Sequence, residues 1–167
     1  MKQMNFTRIS FLALVITSLI VVSFFSVQYV ETYAIIANLS LSIDDVALSY
    51  LNHNISSFVV TVTLVNPSKF LSLSLKYVSI QPALNGEQLL YLRRTLYFER
   101  EISPDDTFQI VFDFQSLEKQ DVMIIESANV QNNWHWDLKI AVYVQVLFKE
   151  ALLDRSQSHV GVNVFGD

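Results

Sequence analysis

Three histidines, two acidic pairs, one arginine pair and several Asn-x-Ser/Thr triplets are the chemistry-bearing features of this 167-residue chain. His53, His135 and His159 lie far apart, and none has a second histidine at metal-ligand spacing. His135 stands between Trp134 and Trp136 but faces away from both if the segment is extended, which makes it a surface histidine. Asp44-Asp45 and Asp105-Asp106, with Glu99 and Glu101 near the second pair, have the oxygens a calcium loop uses. They lack the spacing of such a loop and read as solvated turn residues. Arg93-Arg94 could meet an acidic partner, but adjacent strand positions face opposite sides.

The chain has no cysteine, so thiolate nucleophiles, thiolate metal sites and disulfides are excluded. Its three glycines, 86, 161 and 166, cannot build a phosphate loop or a dinucleotide fingerprint. No Gly-x-Ser-x-Gly elbow is present. Asn38-Leu39-Ser40 and Asn54-Ile55-Ser56 are N-glycosylation triplets, with Asn38 and Asn54 as acceptors. Asn66-Pro67-Ser68 is excluded by its proline. The residues imply no catalytic centre, cofactor or metal, and the chain is expected not to be an enzyme.

The first thirty residues frame everything else. Ile9 to Val30, ISFLALVITSLIVVSFFSVQYV, is 22 residues without a charge. As a helix it would be roughly 33 Å long, enough to cross a hydrocarbon core of about 30 Å. Lys2 and Arg8 precede it and Glu31 follows, so the N-terminus is expected in the cytoplasm and the rest outside. Tyr29 and Tyr33 are placed for an interfacial aromatic belt. A cleaved signal peptide is the competing expectation, with Thr32-Tyr33-Ala34 as its cleavage site, although the apolar run is longer than a usual signal core. The expected organisation is residues 1–8 cytoplasmic, 9–30 transmembrane, 31–37 a juxtamembrane linker and 38–167 one extracytoplasmic domain.

Lys2 and Arg8 are the only charges before Glu31, so the outer part carries −7. That charge disfavours nucleic acid and anionic lipid as partners. Its hydrophobic pattern has period two, the signature of strands. Leu39, Leu41 and Ile43 begin it, Asp44-Asp45 marks a turn, and 46–51 can be a second strand. Phe58, Val60, Val62 and Leu64 line one face of a β-branched strand. Pro67 ends that strand, since it has no N–H. Leu71, Leu73, Leu75 and Tyr77 resume the alternation, and a phase slip at Tyr77-Val78 calls for a bulge.

Asn85-Gly86 is a hairpin turn with Leu89 to Phe98 as its return arm. Pro104-Asp105-Asp106 turns the chain into Phe108–Phe114. A helix capped by Ser116 is expected from Leu117 to about Ala128. Trp134 to Phe148 alternates apolar and mixed residues, and 159–165 closes the set with Val160, Val162 and Val164 in phase. Seven or eight strands with a turn signal every ten to fifteen residues give the fold class: all-β, an antiparallel β-sandwich of immunoglobulin/fibronectin type III-like form after one transmembrane helix. Ala141, Tyr143 and Leu147 make the second face of the long strand apolar and are the candidate contact surface.

The stretch VTVTLVNPSKFLSLSLKYVSIQPALNG, Val60 to Gly86, resembles the late-embryogenesis-abundant type two domain, also called the water-stress and hypersensitive-response domain. The pattern is an alternating strand, Asn66-Pro67, a second alternating strand and an Asn-Gly turn. ISPDDTFQIVFDF, Ile102 to Phe114, resembles the next element of that family. The resemblance spans most of residues 38–165. It implies a β-sandwich with little helix, frequent N-terminal anchoring, roles in stress protection or at membranes, and no assigned catalytic residues. The combined expectation is a single-pass, membrane-anchored, non-catalytic domain with a structural or binding role at the envelope or in a surface assembly, and with a protein partner. Two other outcomes stay open: a processed, soluble lipid- or small-ligand-binding sandwich, and a pilin-like filament subunit.

Overall fold

The computed structural model describes residues 2–51, 54–115 and 117–165, with side chains from Arg8 onward. His53, Gly166 and the expected helix cap Ser116 lie outside the described residues. Helix α1 runs Lys2–Asn38. Nine strands follow among the described residues: β1 Ser40–Leu51, β2 Asn54–Val65, β3 Leu73–Leu84, β4 Glu87–Gln88, β5 Arg94–Ile102, β6 Thr107–Phe114, β7 His135–Val146, β8 Lys149–Val160 and β9 Asn163–Phe165. Helix α2, Lys119–Gln131, joins β6 to β7.

The strands form two sheets. One has the order β6-β2-β1-β9; in the other, β3 lies between β7 and the β4/β5 side, and β8 is the edge beyond β7. All pairings are antiparallel except β1 with β9. Alternation decides which residues meet between the sheets. Phe58, Val60, Val62 and Leu64 of β2 are fully buried, as are Leu138, Ile140, Val142, Val144 and Val146 of β7, to within 1%. Phe58 stacks on Trp136 across the gap, with ring centroids 5.0 Å apart. The Trp136 indole donates to the Gly161 carbonyl at 3.1 Å, where a φ of 105° lets the chain leave β8 for the other sheet.

Several local expectations are corrected. Asp44-Asp45 is not a turn: β1 passes straight through it, with Asp44 as a bulge residue. The bulge shifts the phase, so Leu41 and Ile43 before it and Val46 and Leu48 after it all face inward. The slip in β3 falls at Lys76, one residue earlier than expected. The return arm after Asn85-Gly86 is interrupted by a turn of 3-10 helix at Leu90–Leu92. That excursion lies beside Pro82, whose carbonyl accepts from the Leu89 N–H at 3.1 Å. The missing N–H of Pro82 faces the same side, so β3 tolerates a proline there.

β8 occupies residues expected as a connection, and Phe148, expected on the core face, sits in the β7–β8 turn 89% exposed. The final run is broken at Gly161, so Val160 and Val164 belong to different sheets and both are exposed. Residues 31–37 are helix rather than linker. Thr32 is 5% exposed and Ile35 only 1%, so the last turns of α1 are built into the domain's core.

Asn66 joins these parts. Its side chain is fully buried, and Nδ2 donates to the carbonyls of Leu71 (2.9 Å), Ser103 (3.0 Å) and Ile102 (3.1 Å). Oδ1 accepts from the Ser68 N–H at 3.1 Å, an Asx-turn around exposed Pro67. The Asn66 N–H donates to Asp106 O, and the Asp105 N–H donates to Ser68 O. One amide thus ties the β2–β3 crossing to the β5–β6 crossing. Replacing Asn66 with alanine leaves buried carbonyls unpaired and is expected to cost about 2–4 kcal/mol in urea unfolding. Asn66→Asp places a carboxyl against three carbonyls, which favours its neutral form in the fold. Its stability deficit should therefore be smallest in acid and grow as pH rises towards 7.

Candidate functional site

The bulge at Lys76 has a consequence outside the core. Without it Tyr77 would continue the inward set of Leu73 and Leu75; with it, Val78 turns inward and Tyr77 outward. Tyr77 then pairs in register with Tyr97 of β5 and Tyr143 of β7, and Tyr143 pairs with Leu152 of β8. The result is an apolar row across four strands on the outer face of the β3-containing sheet. Tyr77 and Tyr143 stack at 5.3 Å with an 11° interplanar angle, and Tyr97 meets Tyr77 edge-on at 6.0 Å.

Tyr97 is 80% exposed. The Tyr143 hydroxyl donates to Glu150, whose carboxylate holds the phenol's pKa above its ordinary value. Ser79, Gln145 and Asp154 lie in neighbouring rows of the same face and give the row a polar rim. Tyrosine's large rigid surface with a polar tip suits contact with a protein. Ala141 lies on this face one row away, opposite Asp154. Leu147 does not: it is in the β7–β8 turn, so the structure divides the three residues read as one surface. Tyr77 and Tyr97 were not among them, because the bulge that turns Tyr77 outward leaves only a phase slip in sequence.

The other sequence candidates do not converge. His135 Nε2 is 3.7 Å from Asp137 Oδ1, and Ser158 donates to the same oxygen at 2.7 Å. The carboxylate stands between the serine and the histidine, so the imidazole cannot take the serine's proton as a nucleophile–base pair requires. Asp44 accepts from Ser42, Thr63 and Gln109 on the outer face of the other sheet. Asp105 holds a turn at φ 55°, and Asp106 accepts from the Thr107 N–H. Among the described residues no three His, Asp or Glu side chains gather as a metal site. Arg93 lines a groove on the outer face, whereas Arg94 reaches Asp113 O and the Phe114 ring. Asn38 is exposed on the last turn of α1, and Asn54 is exposed at the start of β2.

Asp121 was not singled out by sequence. It is fully buried in the first turn of α2, and Oδ2 accepts from the Tyr91 N–H at 3.1 Å. Oδ1 has no hydrogen-bond partner among the described residues. Burial raises its pKa above 3.8, against the opposing pull of the Tyr91 and Leu90 N–H groups. Its position clamps the 3-10 turn to α2, a structural task.

No protein-family model matches this chain, and no curated protein matches it. Solved structures do. The solution structure of AT1g01470 from Arabidopsis thaliana is similar at a TM-score of 0.50 and 14% identity, over 76% of this chain and 83% of that one. A crystal structure of a protein from Archaeoglobus fulgidus gives 0.47 and 8%, over 75% and 98%. A candidate late embryogenesis abundant (LEA) protein, At2g46140.1, gives 0.45 and 12%, over 81% and 78%. At such identities the likeness concerns the fold alone.

Because the pKa of Asp121 is raised in the fold, its ionisation subtracts stability as pH climbs from below 3.8 to neutrality. Asp121→Asn keeps an acceptor for Tyr91 without the charge. The variant is expected to be more stable than the parent at pH 7, with the gap closing below pH 4, in paired urea titrations.

Proposed function

We propose that this chain is a single-pass, membrane-anchored, non-catalytic β-sandwich that presents a protein-contact surface outside the cytoplasm. The observation that carries the proposal is the path of α1. Its span candidate, Arg8–Asn38, is wholly unburied over its most apolar window, yet Thr32 and Ile35 near its end are buried in the domain. Cleavage after Ala34 would remove Thr32 from that core and leave Ile35 at a free N-terminus, whereas the intact helix holds both in place. The charge-free run from Ile9 to Val30, with Lys2 and Arg8 before it, supports a cytoplasmic N-terminus.

The immunoglobulin/fibronectin type III-like form and membership of the late-embryogenesis-abundant type two family belong to the same proposal. The Val60–Gly86 pattern supports the family, and the shared fold with the Arabidopsis protein at a TM-score of 0.50 supports the two-sheet form. The packed interior favours a contact role over a soluble carrier of small ligands: Phe58, Phe112 and Trp136 fill the space between the sheets. The contact surface is assigned to the tyrosine row with Ala141, and the partner is a protein of the envelope or of a membrane assembly.

Affinity purification of the carbonate-washed, membrane-extracted protein tests both halves. N-terminal sequencing should return a chain that retains Ile9–Val30, with a co-purifying envelope protein. A Tyr77→Ser/Tyr97→Ser variant should lose that protein while it still folds. A soluble chain beginning at Ile35 would contradict the anchor; undiminished capture by the double variant would contradict the surface.

A further inference from the structure

We infer that the β7–β8 turn, Leu147-Phe148, is a second membrane contact, which enters the headgroup–acyl boundary beside α1 and sets how the domain stands on the bilayer. This inference rests on the proposal that residues 9–30 span the membrane. The turn faces Phe25, Gln28, Tyr29, Thr32 and Tyr33 across an apolar cleft of about 310 Å³. Those five recur at three- and four-residue spacing, so they form one side of the helix. Phe25 is six residues before Glu31, the first charge after the apolar run, or about 9 Å down the helix axis. The turn therefore sits between the level of the first charge and the upper hydrocarbon.

The composition of the turn fits that depth and does not fit water. Asn85-Gly86 shows what this chain uses for a two-residue hairpin in water, with φ of 52° and 85°. At the β7–β8 hairpin Leu147 adopts φ 51°, a conformation that is unfavourable for a branched side chain. Phe148 beside it is 89% exposed. Phe70, 73% exposed in the β2–β3 crossing, lines a second cleft with Leu147, so the apolar patch covers two loops at the same end of the sandwich.

The surrounding charges describe an interface rather than a protein groove. The Lys149 ammonium is 5.8 Å from the centre of the Tyr33 ring, and Tyr33 lies 4.7 Å from Tyr29. Tyrosine and lysine together are the residues that settle at the headgroup level. Lys69 adjoins Phe70, but Glu31 and Glu101 are at the same end. With Asp105 and Asp106 at the Asn66–Ser68 corner and Glu150 beside Lys149, acidic residues outnumber basic ones at this end, so attraction comes from apolar burial and requires no anionic lipid.

The absence of cysteine allows single nitroxide labels on the full chain in phosphatidylcholine nanodiscs. Phe148→Cys probes the turn, Val21→Cys the span and Val160→Cys the far end of β8. The label at 148 should show an oxygen-to-nickel accessibility ratio several-fold above that at 160 and near that at 21. If 148 matches 160 while 21 is lipid-shielded, the second contact is overturned and the span stands. Were 21 also to match 160, the span would fail and the inference with it. Spin–spin broadening at 148 that vanishes on dilution with unlabelled protein would assign the turn to a second copy and overturn the inference.

Discussion

The carboxamide of Asn66 is the constraint on which this fold turns. Two polypeptide crossings between sheets meet at one buried point, and each brings carbonyls that no strand ladder can satisfy. A single asparagine supplies donors to three of them and an acceptor to the Ser68 N–H. Only an amide has both functions at this size. Pro67 fixes the backbone beside it, and the Ser68 hydroxyl accepts from the N–H groups of Phe70 and Leu71 to finish the corner. The same hydroxyl lies 3.5 Å from Glu31 of α1, so the corner also touches the end of that helix.

From that corner the rest follows mechanically. With the crossings fixed, β2 and β3 are held in different sheets, and their alternating faces close on one another around Phe58 and Trp136. Thr32 and Ile35 then enter the same core from below, which makes the apolar helix and the sandwich continuous. The outer face of the β3-containing sheet is left to the tyrosine row. The turns nearest the helix are left to Phe70, Leu147 and Phe148. Core, tyrosine row and apolar loop end are thus three outcomes of one arrangement.

Sequence alone showed the buried strands well, because burial on one face forces strict alternation. β2, β6 and β7 were legible for that reason, and Asn85-Gly86 because a primed turn demands residues that accept positive φ. β8 was invisible. As an edge strand it carries Glu150, Asp154, Arg155 and two serines, which read as loop but which protect an unpaired edge. β1 seemed to stop at Asp44-Asp45 because a bulge and a turn both interrupt alternation. Asn66 was recognised as a chain break, but its buried amide was not foreseen, since nothing in a linear pattern tells where a second crossing will come to rest. The tyrosine row depends on register between three strands, and the Leu147-Phe148 turn on its proximity to a helix more than a hundred residues earlier; neither relation is local.

The end of the apolar helix α1 is part of the domain's core and not a tether to it. Hydrogen exchange of the full chain in nanodiscs measures this directly, by comparing amides 32–38 with those of β2 and β7. The account predicts that 32–38, beyond the span itself, exchange as slowly as the core strands and lose protection only with global unfolding. Rapid exchange there, with the strands still protected, would mean a flexible stalk and would contradict the account.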